Sequence, residues 1–104
     1  MNEVLVVFCT CEDRAQAHHI ASKLVEERLA ACVNIIGGVQ SVYRWQGKVT
    51  EAEEVQLLIK TVRERYPALQ SRIAELHSYD TPEIIAVPIA EGSQKYLTWL
   101  REQV

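Results

Sequence analysis

An α+β fold, one antiparallel sheet backed by helices, is what this 104-residue sequence predicts. Three observations predict it. Apolar residues alternate between the two-residue period of strands and the longer period of helices, in the order strand, helix, strand, strand, helix, strand, helix. Between Ala31 and Thr61 two long strand-like segments meet at Trp45-Gln46-Gly47-Lys48 with no helical signal between them, which makes one oversized hairpin. No linker, internal repeat or low-complexity stretch interrupts the chain, so residues 1–104 are expected to form a single domain.

The first strand is expected over about Glu3 to Thr10, and its unbroken Val4-Leu5-Val6-Val7-Phe8 run suits a central strand covered on both faces. Asp13 can cap the next helix, with Gln16 at the capping-box position and Ala17, Ile20, Ala21, Leu24, Val25 and Leu29 following at helical spacing. On the first arm of the hairpin, Val33, Ile35, Val39, Val42, Tyr43 and Trp45 supply β-branched and aromatic side chains, and Gly37-Gly38 marks a bulge or bend. On the second arm, Val49, Val55, Leu57 and Ile59 share one face while Thr50, Glu54, Gln56 and Lys60 share the other. Pro67 suits the first turn of a second helix striped by Leu69, Ile73 and Leu76, and Ser78 to Pro82 reads as loop. Ile84 to Ile89 reads as the fourth strand, with Pro88 placing it at a sheet edge because proline cannot donate to a ladder. Gly92-Ser93 starts a terminal helix carrying Tyr96, Leu97, Trp99 and Leu100.

A βαββαβ order with short connections specifies a ferredoxin-like sandwich, here with an extended hairpin between the second and third strands and an extra C-terminal helix. Two helices cover one face of such a sheet, and the other face needs a partner. A hairpin arm of about a dozen residues reaches roughly 40 Å, whereas a domain of this length is only about 33 Å across. The ribbon should overhang its own domain, and the simplest cover for its apolar faces and open edges is another copy of the chain, which predicts a homo-oligomer.

Composition narrows the function. A formal charge of -3 and a pI near 5.6 remove the electrostatic footprint of nucleic-acid binding. Arg63, Arg65 and Arg72 are interspersed with Glu64 and Glu75, as on a solvated helix face. Val4 to Phe8 is too short for a signal segment and no stretch is long enough to span a bilayer, so the expected compartment is the cytoplasm, where Cys9, Cys11 and Cys32 stay reduced. Enzymatic chemistry is not expected, since no Ser-His-Asp order, phosphate loop or HExxH helix is present. Glu51, Glu53 and Glu54 read as charged edge residues that discourage strand pairing.

Five ordered blocks, Ala30-Ala31-Cys32-Val33-Asn34-Ile35, Ser41-Val42-Tyr43-Arg44-Trp45-Gln46-Gly47, Ile59-Lys60-Thr61, His77-Ser78-Tyr79-Asp80-Thr81-Pro82-Glu83-Ile84-Ile85 and Tyr96-Leu97-Thr98-Trp99-Leu100, resemble the CutA family of divalent cation tolerance proteins across essentially the whole chain. The resemblance implies a homotrimer of ferredoxin-like subunits, cytoplasmic in bacteria and similar in architecture to the PII signalling proteins. It also implies a role in tolerance of copper and other heavy metals, with copper binding attributed to some members. In the family pattern a cysteine of the first strand and two adjacent histidines after the second helix are assigned to copper; Cys9 matches the cysteine, His77 matches the second histidine, and Leu76 stands where the first would be.

The residues themselves also point to metal. Cys9 and Cys11 lie two apart on a strand and face the same way, so both sulfurs could approach one soft ion, and His77 ends the second helix near the strand ends. Thiolates with an imidazole suit Cu(I), or zinc if a fourth ligand appears. Equally, Cys9 and Cys32 could simply pack as small apolar side chains, and Cys11, outside the resemblance, reads as a loop residue. His18 and His19 point in different directions from one helix and cannot chelate together.

A second constellation is an intersubunit cleft of Lys60, Tyr79, Glu83 and Trp45. Lys60 is a cation on a central strand that needs a partner, with Glu83 the nearest candidate by topology, and Trp45 at the hairpin tip is expected to dock on a neighbour. Three functions remain open: a metal-binding tolerance trimer, a PII-like signalling trimer with a small ligand in its clefts, and a structural or partner-anchoring trimer.

Overall fold

The computed structural model describes residues 3–104. Its elements follow the expected order: β1 (Val4–Cys11), α1 (Arg14–Glu26), β2 (Cys32–Trp45), β3 (Lys48–Val62), α2 (Tyr66–Leu76), β4 (Ile85–Pro88) and α3 (Gln94–Gln103), with a 3-10 turn at Arg63–Arg65 ahead of α2. The strands form one antiparallel sheet in the order β2-β3-β1-β4. Central β1 is paired on both sides, as its unbroken apolar run requires, and β4 with Pro88 lies at an edge.

Asp13 caps α1 through Oδ1, which accepts from the Gln16 amide at 2.8 Å. The reciprocal half of a capping box is absent, because Gln16 Oε1 instead accepts from the Ser78 amide at 2.6 Å and ties the start of α1 to the loop after α2. At the other end Arg28 takes a left-handed conformation (φ 57°), and the Leu29 and Arg28 amides donate back to Leu24 and Val25 carbonyls. The bidentate pair of Arg72 with Glu27 fastens α2 to this corner.

The core lies between the sheet and α1 with α2. Val7, Cys9, Cys11, Val55, Leu57 and Ile59 project from the sheet onto Ile20, Leu24, Leu69 and Ile73. On the opposite face α3 covers one end of the sheet only, where Leu100 packs with Val4, Ala31 and Val62. The rest of that face stays open, with Ile36, Ile85 and Val87 exposed.

The hairpin turns at Gln46 and Gly47, both with positive φ (49° and 79°), the two-residue turn that matches strand twist. The expected bulge is present: the register shifts between Ile36 and Val39, and Gly38 supplies the positive φ of 74°. The described chain measures 45 × 25 × 22 Å, so the ribbon does overhang. Val49 shares its face with Ile59 but is 70% exposed, lying on the overhanging stretch of β3 beyond its last pair with β1 at Cys11 and Val55. Glu51, Glu53 and Glu54 do line an edge: β1 pairs with β3 only as far as Cys11 opposite Val55, so over the overhanging residues 48–54 the second side of β3 is open.

Candidate metal centre and adjoining groove

Cys9 and Cys11 occupy alternate positions of β1 on its helix-facing side, and both are fully buried. Cys11 is therefore the last residue of a strand and not part of a loop. His77 closes α2, its amide donating to the Ile73 carbonyl at 2.8 Å, and its ring turns inward to the same place. One ligand atom from each of Cys9, Cys11 and His77 lies within 4.8 Å of the others.

Both nitrogens of the His77 ring are engaged. Nδ1 accepts from the Tyr79 amide at 3.0 Å, which leaves Nε2 as the donor to the Thr10 carbonyl at 2.8 Å. To coordinate an ion the imidazole has to give up one of these bonds. Tyr79 holds it from the side, with the two rings 4.8 Å apart. The two thiols differ in acidity: a hydrogen bond from Cys9 to Cys11 pushes the Cys9 thiol up, with burial adding to the rise, and pulls Cys11 below its usual value. Cys11 is thus the readier thiolate, and two sulfurs with one imidazole nitrogen form a soft donor set. Leu76 packs against the core.

On the other face of β1 a groove of about 710 Å³ runs beside Thr10 toward the hairpin tip. Tyr43, Trp45 and Tyr79 form its aromatic walls, and Glu54, Asp80 and Glu83 face it. The Tyr79 hydroxyl donates to Glu54 Oε2 at 2.6 Å, and burial together with that carboxylate pushes the phenol pKa up. Sequence parity placed Glu54 on this face, but nothing in sequence order showed that the loop of residues 77–84 would fold over it.

Trp45, Tyr79 and Glu83 are thus brought together, whereas Lys60 is not among the groove's lining. The expected Lys60–Glu83 ion pair does not form among the described residues. Register explains why: Lys60 lies opposite Val6, which lies opposite Val87, so β1 stands between β3 and β4. Lys60 Nζ instead donates to Asn34 Oδ1 and approaches Cys32 Sγ at 3.8 Å. His18 and His19 are exposed on α1.

Comparison with known proteins agrees over the full length. The sequence profile of the family described as CutA1 divalent ion tolerance protein matches residues 5–103. The divalent-cation tolerance protein CutA of Thermus thermophilus is 53% identical over 102 residues, covering 98% of this chain and 97% of its own. The CutA of Pectobacterium atrosepticum is 43% identical, covering 94% and 89%. Among solved structures, the Thermus thermophilus protein superposes with a TM-score of 0.94 at 53% identity, covering 96% of this chain and 97% of that one. CutA1 from Oryza sativa gives a TM-score of 0.96 at 41% identity, covering 98% and 94%. This chain belongs to the CutA family of divalent cation tolerance proteins.

Proposed function

We propose that this chain acts in divalent cation tolerance as a cytoplasmic, non-catalytic homotrimer of ferredoxin-like subunits that binds a soft metal ion, copper foremost, through Cys9, Cys11 and His77. The observation that carries the metal reading is the convergence of two sulfurs and an imidazole within 4.8 Å in a buried pocket. Soft thiolate donors favour Cu(I). A reducing compartment keeps these thiols available. The trimer reading rests on the open β2 edge, the overhanging hairpin and the apolar Ile36, Ile85 and Val87 on the uncovered face, together with the strand order of the sheet. A second reading, a PII-like trimer with a small ligand in its clefts, is favoured by the groove beside Tyr79.

Anaerobic titration of reduced protein against a chromophoric Cu(I) chelator tests the metal reading. One Cu(I) per chain is expected. Loss of an outer-shell partner already weakens metal sites by about tenfold or more, so Cys9→Ser, Cys11→Ser and His77→Ala should each weaken binding by at least that factor. Failure of the wild type to compete with the chelator, or unchanged affinity in all three variants, removes copper from the proposal. Light scattering tests assembly separately: a mass three times that of one chain is expected, and a stable monomer refutes the trimer.

A further inference from the structure

We propose that the groove beside Tyr79 binds a linear aliphatic polyammonium ion, with Glu54, Asp80 and Glu83 holding its charges and Trp45 and Tyr43 packing along its methylenes. The inference is separate from the metal reading, because the groove and the sulfur pair lie on opposite faces of β1. A volume of about 710 Å³ is the size of a small-molecule site. Its lining contains three carboxylates and three aromatic rings but no lysine, arginine or histidine. An anionic ligand would find no positive partner there, Lys60 being bonded to Asn34 elsewhere on the sheet.

Glu54 carries the argument furthest. It is only 8% exposed, its Oε2 takes the Tyr79 hydroxyl, and no cation of the described residues lies within ion-pair distance of it. A carboxylate this little exposed favours a positive partner, and the neutral Tyr79 hydroxyl leaves its charge unbalanced. That partner is not a chelated metal. Among the described residues the one group of three or more close ligand atoms is Cys9, Cys11 and His77, so the three groove carboxylates do not gather into such a cluster. Dispersed carboxylates between aromatic walls suit several ammonium groups separated by hydrocarbon, each able to lie over a ring face as well as beside an acid.

Spermidine is the probe, titrated calorimetrically into the purified, chelator-treated assembly at physiological salt, with Trp45 emission as a second readout. Saturable binding at one site per chain is expected, weakened by about tenfold or more in Glu54→Gln, which keeps an acceptor for Tyr79, and likewise in the more peripheral Glu83→Gln. Glu64→Gln, outside the groove, should bind as the wild type does, and so should Cys9→Ser, which separates this result from the fate of the copper reading. The proposal is overturned if spermidine does not saturate, if Glu64→Gln weakens binding as much as Glu54→Gln, or if 2-oxoglutarate binds in its place. A neighbouring subunit filling the groove would leave Trp45 emission unchanged, which also overturns it.

Discussion

Truncation of Ile59 to alanine is expected to lower stability by about 3 to 4 kcal/mol. Ile59 sits in the middle of interior β3, flanked by Val7 of β1 and Val33 of β2, and its side chain is fully buried in the cluster that Ile20, Leu24, Leu69 and Ile73 complete from the helices. Neighbours on three sides are fixed by the sheet ladder and by two helices, so little collapse into the vacated space is open to them, and the cavity contribution adds to the lost burial. Val49 offers the internal comparison. It has the same strand and the same parity, yet it is 70% exposed, and Val49→Ala should change stability by less than about 0.5 kcal/mol. Urea unfolding followed by circular dichroism, at one fixed protein concentration because subunit association is coupled to unfolding, measures both. Equal midpoints for the two variants would mean that the core is not where the sheet and helices place it.

That pair of residues also marks how far sequence pattern reaches. Alternation assigned Val49, Val55, Leu57 and Ile59 to one face, and the register bears that out. Parity, however, reports only which way a side chain points. Whether anything covers it depends on how far the rest of the domain reaches along the ribbon, which is a tertiary length match. The same gap hid Glu54, whose side was legible but whose lid, the loop carrying Tyr79, comes from 25 residues later. The hairpin turn, its Gly38 bulge and the Asp13 cap were readable because each is fixed by local backbone chemistry. Cys9 and His77 are also legible as soft donors, while Cys11, outside the family resemblance, reads as a loop residue although it is the last residue of β1. Glu83 is the nearest candidate partner for Lys60 by topology, but β1 lies between β3, which carries Lys60, and β4, which follows Glu83.

Tyr79→Phe is expected to cost about 2 kcal/mol at neutral pH and to flatten the alkaline side of the stability profile. The hydroxyl donates to Glu54 at 2.6 Å, a short bond to a buried carboxylate, and phenylalanine keeps the ring against His77 while removing that donor. The deficit therefore measures a carboxylate left without its hydrogen bond, not lost packing. The pH dependence follows from the direction of the phenol shift. Burial and then Glu54 raise the folded-state pKa above the ordinary 10.0, so the folded chain holds this proton more tightly than the unfolded one. The stabilisation is fully present below pH 10 and fades as pH climbs from there toward the raised folded value. Cys9, raised from 9.0, contributes to the same decline and is untouched by the substitution. Urea midpoints of the two proteins should accordingly differ most near pH 7 and draw together as pH rises above 10. Curves that stay parallel across that interval would show that the folded chain does not hold the Tyr79 proton more tightly than the unfolded one, and an unchanged midpoint at neutral pH would show that the hydroxyl does not stabilise Glu54.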